Sequence, residues 1–291
     1  MRARANAGGP NFPTNSIADK SAAATSTALP TSAPKIATAS SARTSIPGAE
    51  ELSRYWSGGK CAGTGATTFS FAPFALEEMA FILPMGLMVA GHVTPIDHQY
   101  YSAKSGIGWR GEGGGGTPLL ALADGFIVQI THRTEAVGTG QAIQNYDRWR
   151  PVIEHSCTFY SYYDEVIGLT DDILKQLTLS GKSQLLQTRI PVKAGQVIGT
   201  ARVVDLGVVN TEKSLKGFVT PALYNRESWK IFTVDPFDYY APAVREKLLA
   251  MNLRQASPPG GKIDFDVDGR LAGNWFQQGT NGYAGKSNSP R

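Results

Sequence analysis

Thr117-Pro-Leu-Leu-Ala-Leu-Ala-Asp-Gly-Phe-Ile-Val128 sets the grammar of this chain. Leu119 to Leu122 is an apolar run of strand length. Asp124-Gly125 is a strong two-residue hairpin signal, because glycine enters positive φ without a Cβ clash. Phe126-Ile-Val-Gln-Ile130 then returns, rich in β-branched and aromatic side chains. The expectation is a hairpin. The same order of short strand, glycine-bearing turn and short strand recurs through much of the chain beyond Ile130.

On the C-terminal side, Trp149 to His155 and Thr158 to Tyr162 form the next strand pair. Arg189 to Val192, the turn Lys193-Ala-Gly195, Gln196 to Gly199 and Val203 to Val209 continue the β pattern. Upstream, Phe69-Ser-Phe71 and Phe81-Ile-Leu83 read as strands. Helical spacing is confined to a short stretch after Asp171 and to Pro242 through about Arg254, where Val244, Leu248 and Leu249 share a face. Gly111 to Gly116 lacks the Lys-Ser/Thr of a phosphate-binding loop and reads as a turn. Asp264-Phe-Asp-Val-Asp-Gly269 invites a calcium-loop reading, but position twelve is Trp275 instead of Glu. Its alternation favours a strand turning into Arg270 to Phe276.

These elements divide the chain. Residues 1–48 are Ala/Ser/Thr/Pro-rich and bury too little apolar surface to offset their ordering entropy, so a disordered tether is expected. Residues 49–240 form the β domain. Residues 241–291 are expected to add a helix and a β-hairpin, the start of an incomplete C-terminal part. The net charge of +4 comes without a dense Lys/Arg run, which argues against nucleic acid as a partner. The longest apolar stretch, Met79 to Val89, is interrupted by Pro84 and Gly86 and is too short to span a bilayer. Met1-Arg-Ala-Arg is not followed by an apolar signal region, and the chain is expected to begin downstream of its true start. Cys61 and Cys157 cannot form a C-x-x-C site. A disulfide between them is expected if the protein is exported, the alternative being two separate buried thiols.

Four stretches, in order, resemble the LytM/lysostaphin-type zinc endopeptidases of bacterial cell walls. Gly116-Thr-Pro-Leu-Leu-Ala-Leu-Ala-Asp-Gly125 is similar to that family's G-T-P-V-x-A-x-x-D-G. Val152-Ile-Glu-His155 with Tyr160-Ser-Tyr162 is similar to its V-I-x-H-G and T-x-Y-x-H-L strands. Pro191-Val-Lys-Ala-Gly-Gln-Val-Ile-Gly199 is similar to its x-V-K-x-G-Q-x-I-G turn, and Val234-Asp-Pro236 with Tyr239-Tyr240 to its closing V-D-P-x-x-Y. The resemblance covers about residues 80–240. It implies a mainly β fold: an antiparallel β-sandwich or half-barrel of the duplicated hybrid motif type, with short helical insertions and a groove over one sheet.

The same resemblance implies a zinc site, held by H-x-x-x-D and by the second His of H-x-H, with two further histidines activating water and stabilising the oxyanion. This chain departs from it. His92 and Asp97 are one residue too far apart, though His98 adjoins. The strand expected to carry H-x-H reads Val203-Val-Asp205, putting Asp205 at the ligand position and Val203 at the catalytic one. Asp164 stands where the third histidine would follow Tyr162. His92, Asp97, His98 and Asp205 are therefore candidates for a remodelled metal site. The other reading has His92 and His98 hydrogen-bonding within a turn around Pro95 and Asp97 capping local backbone. Tyr100, Tyr101, His155 and Tyr162 are candidates for lining a groove, the alternative being ordinary sheet packing. His132 is expected at the surface.

The functional expectation is an exported, envelope-associated, peptidase-like domain (extracellular or in the cell envelope) that has lost catalysis, requires no cofactor, and binds peptidoglycan or another glycan or peptide. The alternatives are an active divergent zinc endopeptidase, for which zinc would be the cofactor, and a scaffold without a small ligand.

Overall fold

The computed structural model describes residues 48–89, 92, 94–107, 115–137, 144–280 and 282, which belong to one compact unit, Arg43–Arg291. The expected tether and most of the Gly111–Gly116 turn lie outside the described residues. The strands are β1 (Met79–Leu83), β2 (Gln99–Ala103), β3 (Thr117–Leu120), β4 (Gly125–Val137), β5 (Gln144–Ser156), β6 (Phe159–Asp164), β7 (Gly168–Leu169), β8 (Gln184–Val192), β9 (Val197–Ala201) and β10 (Val203–Asn210). Among the described residues three α-helices accompany them: α1 (Ala49–Ser57), α2 (Asp171–Leu174) and α3 (Pro242–Met251). The ladders are antiparallel and form two sheets, one in the order β1-β2-β10-β6-β5-β4-β8 and one in the order β3-β9-β7. The mainly antiparallel β fold expected from the sequence is present.

The Asp124-Gly125 hairpin is not. β3 pairs with β9 in the small sheet, whereas β4 pairs with β5 and β8 in the large one. The dipeptide carries the chain from one sheet to the other. Gly125 is required for a different reason: a Cβ there would run into the Glu154 carbonyl and the Ile153 side chain. Asp124 anchors the crossing by accepting from the Ala194 amide (2.9 Å) and pairing with Lys193 (2.8 Å).

Strand alternation gives the large sheet two different faces. Val204, Leu206 and Val208 of β10, with Phe159 and Tyr163 of β6, Ile153 of β5 and Ile127 and Ile130 of β4, face the small sheet's Leu119, Ile198 and Ala201 in the principal core. α3 adds Leu248 to that core. On the opposite face Val128, Val152, Tyr160, Tyr162 and Val209 meet Leu52 and Trp56 of α1, Phe218, and Tyr224, Ile231 and Phe232 of the 3-10 segment Pro221–Phe232. A bulge in β4 between Ile127 and Gln129 turns both Val128 and Gln129 towards this second face, where Gln129 donates to the Tyr55 carbonyl (3.2 Å).

α1 seats Leu52 and Trp56, one turn apart, on that face, and ends where the Gly58 amide donates to the Arg54 carbonyl (3.0 Å) in left-handed backbone. Trp56 packs edge-on to Tyr160 with ring centroids 5.0 Å apart. The Cys61–Cys157 disulfide, with Cα atoms 5.0 Å apart and 96 residues of separation, ties the chain after α1 to the β5–β6 turn. Such a Cα spacing lies within the ordinary range.

Two further expectations fail. His132 is buried, stacked on Trp149 at 3.7 Å and bound to Asp147 Oδ1 at 2.9 Å; cross-strand pairing with Trp149 shields it. The second is regular strand structure after Asp264: residues 264–276 contain none, the Val267 amide donating to the Ala272 carbonyl (3.0 Å) around a turn while the aspartates bind backbone elsewhere. Asp264 is buried and accepts from the Gly217 amide (2.7 Å), and Asp266 accepts from Val219 (3.0 Å) and Asn274 (2.7 Å). Phe265 and Val267 consequently point outward.

Candidate functional site

The loop between β1 and β2 delivers His92, Asp97 and His98; β2 delivers Tyr100, β10 Asp205, and β6 Tyr162 and Asp164. Asp205 lies opposite Tyr100 on one side and Asp164 on the other. Gly207 faces Tyr162, and a Cβ at Gly207 would collide with the Tyr162 ring. The missing side chain lets the ring lie over the strand and extend its hydroxyl to Asp97.

Asp97 is the centre of the cluster and is buried. Its Oδ2 accepts from the Tyr162 hydroxyl and from Trp229 Nε1–H, both at 2.9 Å. Its Oδ1 accepts from the Lys230 ammonium at 2.7 Å and lies 3.4 Å from His98 Nδ1. Lys230 is only 4% exposed and also pairs with Glu227 at 3.3 Å. His98 Nε2 lies 3.2 Å from Asp205 Oδ2, an ion pair without hydrogen-bond alignment. His92 is more peripheral, with Nε2 3.3 Å from the Tyr100 hydroxyl.

Burial would raise the Asp97 carboxyl, but Lys230 and His98 overcome it and hold the group well below the usual carboxylate range. Burial would lower His98, but Asp205 and Asp97 raise it to about 9. His92 is lowered by burial and by the cationic His98 and Lys230. Burial, reinforced by Asp97, raises the Tyr162 phenol well above its usual range and keeps it a donor.

Asp164 is paired with Arg133 and lies 3.6 Å from Arg150. The Arg150 guanidinium stacks on Tyr162 (4.2 Å) and Trp229 (5.1 Å). Val203, two residues before Asp205, offers no donor or acceptor on its side chain.

A zinc ion needs deprotonated donors with free lone pairs converging on one point. The Asp97 oxygens accept from three N–H or O–H donors, and the two ring nitrogens of His98 lie against two separate carboxylates, Asp97 and Asp205. Among the described residues no group of three or more His, Cys, Asp or Glu side chains is arranged to hold a metal. The residues as placed do not fit zinc.

The structure thus brings together His92, Asp97, His98, Asp205, Tyr100, Tyr162 and Asp164. It separates two of the groove candidates. Tyr101 is fully buried in the principal core, as strand alternation after Tyr100 requires, and its hydroxyl donates to Gln99 (2.8 Å). His155 lies across the sheet, bound to the Asp124 carbonyl (2.8 Å) and Ser161 (2.9 Å) beside Phe69 and Phe159. The sequence alone does not reveal Trp229, Lys230, Glu227 or Arg150 as part of this cluster. A cavity of about 330 Å³ lined by Lys213, Asp235, Tyr239, Lys262 and Asp264 lies apart and contains none of the cluster.

No family model and no curated protein matches the chain. Solved structures do show a likeness. A catalytic-domain mutant of the prophage-encoded M23 protein EnpA from Enterococcus faecalis is 12% identical over 52% of this chain and 86% of its own, with a TM-score of 0.24. Lysostaphin in solution is 14% identical over 61% of this chain and 58% of its own, with a TM-score of 0.29. The SpoIIQ–SpoIIIAH pore-forming complex contributes a chain 10% identical over 60% of this one and 92% of its own, with a TM-score of 0.33. Two of these three are an M23 protein and lysostaphin. The fold of this chain rests on the strand pairing above, and the likeness assigns no activity.

Proposed function

We propose that this chain is a non-hydrolytic, peptidase-like domain that binds peptidoglycan or a related glycan or peptide outside the cytosol. The commitment of Asp97 to donors of its own chain carries this reading. The buried carboxylate already accepts from Lys230, Trp229 and Tyr162, which compete with any metal or water for it. Val203 supplies no base, and the charge of Asp164 is neutralised by arginines. Hydrolysis by this fold requires a Lewis acid with an open position and a group to take a proton. The disulfide suits an oxidising compartment. Among the described residues no helix is long and apolar enough to cross a membrane.

Sedimentation with purified peptidoglycan, followed by mass spectrometry of the supernatant, tests the reading. The expected result is co-sedimentation without released peptides. Release of peptides that stops on Asp97→Asn would establish the hydrolase instead. Failure to sediment with any wall preparation would leave the scaffold reading in its place.

A further inference from the structure

Asp97 sits among groups that would be incompatible with it if it were left unpaired. A buried ionised carboxylate without a counter-charge costs several kcal/mol even after relaxation, so a cation must accompany it. In a metal centre the ion does this. Here the nearest cation is the side chain of Lys230, whose Nζ lies 2.7 Å from Asp97 Oδ1 and 3.3 Å from Glu227 Oε2, with His98 Nδ1 3.4 Å from the same Asp97 oxygen. Lys230 belongs to Pro221–Phe232, an irregular 3-10 segment with non-helical backbone at Tyr224 and Glu227. Trp229, the preceding residue, binds the other Asp97 oxygen. Two consecutive side chains thus fasten this segment to the loop before β2.

We propose that the Lys230 ammonium is the resident cation of this centre: a tethered substitute for a metal ion, which fixes Pro221–Phe232 over the sheet and excludes divalent metal from Asp97. The charge geometry supports it. An ammonium is a compact point charge with three donors, and it sits where a small cation would meet Asp97, Glu227 and, one step away, His98. With the lysine gone, the position vacated between Asp97 Oδ1 and Glu227 Oε2 is where a divalent ion would enter. The inference stands whatever the groove binds, because it concerns what holds Asp97.

The test compares thermal melting and metal content of the full chain, Lys230→Ala, Asp97→Asn and the double variant, each with EDTA and with zinc chloride. Wild type is expected to melt at one temperature in both and to carry no stoichiometric zinc after desalting. Lys230→Ala removes the nearer of the two cationic groups beside Asp97 and is expected to melt about 6–10 °C lower. Zinc at a hundredfold excess over its Kd is expected to return about 5 °C of that loss, and to return none in the double variant. The double variant is expected to lose less than the sum of the singles, since neither charge is left alone. If Lys230→Ala does not fold without metal, folding on zinc addition is the same positive result. One zinc bound by wild type and lost on Asp97→Asn overturns the proposal. So does a Lys230→Ala protein that melts like wild type or is indifferent to zinc.

Discussion

Reducing the Cys61–Cys157 bond is a perturbation whose size can be worked out from the chain itself. The bridge spans 96 residues, so closing that loop removes roughly 16 cal/mol/K from the unfolded ensemble, or ~4.7 kcal/mol at 25 °C. A folded unit of roughly 240 residues has a melting entropy near 0.5 kcal/mol/K, so reduction is expected to lower Tm by about 9 °C. The folded state should change little, because α1 keeps its own anchors. Leu52 and Trp56 are buried against Tyr160 and the sheet, and Gln129 and Gln187 both donate to the Tyr55 carbonyl. The assay is differential scanning calorimetry with and without a phosphine reductant, with alkylation and mass spectrometry to confirm two thiols. Tryptophan fluorescence at 25 °C reports whether α1 stays seated. Confirmed reduction with an unchanged Tm would refute the loop-entropy argument. A large fluorescence change at 25 °C would show that the disulfide, and not Trp56, holds the helix.

Trp56→Ala should cost about 3–5 kcal/mol in urea titrations, since it empties a fully buried site between Tyr160 and Trp229; a loss below about 1 kcal/mol would mean the site collapses freely. Gly207→Ala should cost about 1–3 kcal/mol, because the new methyl displaces the Tyr162 ring and with it the bond to Asp97; an unchanged midpoint would show that the ring has room to move. Burial pushes His155 down to about 4, outweighing its bond to the Asp124 carbonyl. The unfolded imidazole accepts its proton near pH 6.5, so the stability owed to neutral His155 is complete above about 6.5 and is lost as pH falls towards 4. Tm measured against pH should therefore fall more steeply over that window in wild type than in His155→Gln; parallel curves would exclude the residue as the cause.

Much of the β architecture can be read from the sequence because it rests on local rules. Alternation in Val203 to Val209 and Phe159 to Asp164 places each side chain on the face it occupies. The pairing at Asp124-Gly125 escapes such a reading for a physical reason. The same dipeptide that closes a hairpin also suits a crossing between sheets, and only long-range contacts with Glu154 decide between them. At the candidate site, sequence order finds the residues carried by the strands. It does not find Lys230 and Trp229, since nothing local marks a lysine for burial in a segment with no regular period. Tyr101 is misplaced when the alternation that separates it from Tyr100 is ignored. The aspartates at 264 and 266 look like one face of a strand, whereas they serve as acceptors for backbone amides distant in sequence.

The Lys230–Asp97 pair also bears on the order in which substitutions could build a metal centre at this place. Histidine at position 205 brings no metal while the ammonium is in place. Removing the ammonium first strips a buried carboxylate of its partner, a loss of about 3–5 kcal/mol against a total stability of about 5–15 kcal/mol for a typical protein. Each single step is therefore neutral or harmful, and a gain arrives only when both are made together. The lysine works as a lock: it holds the fold without metal and stands across the stepwise route to binding one.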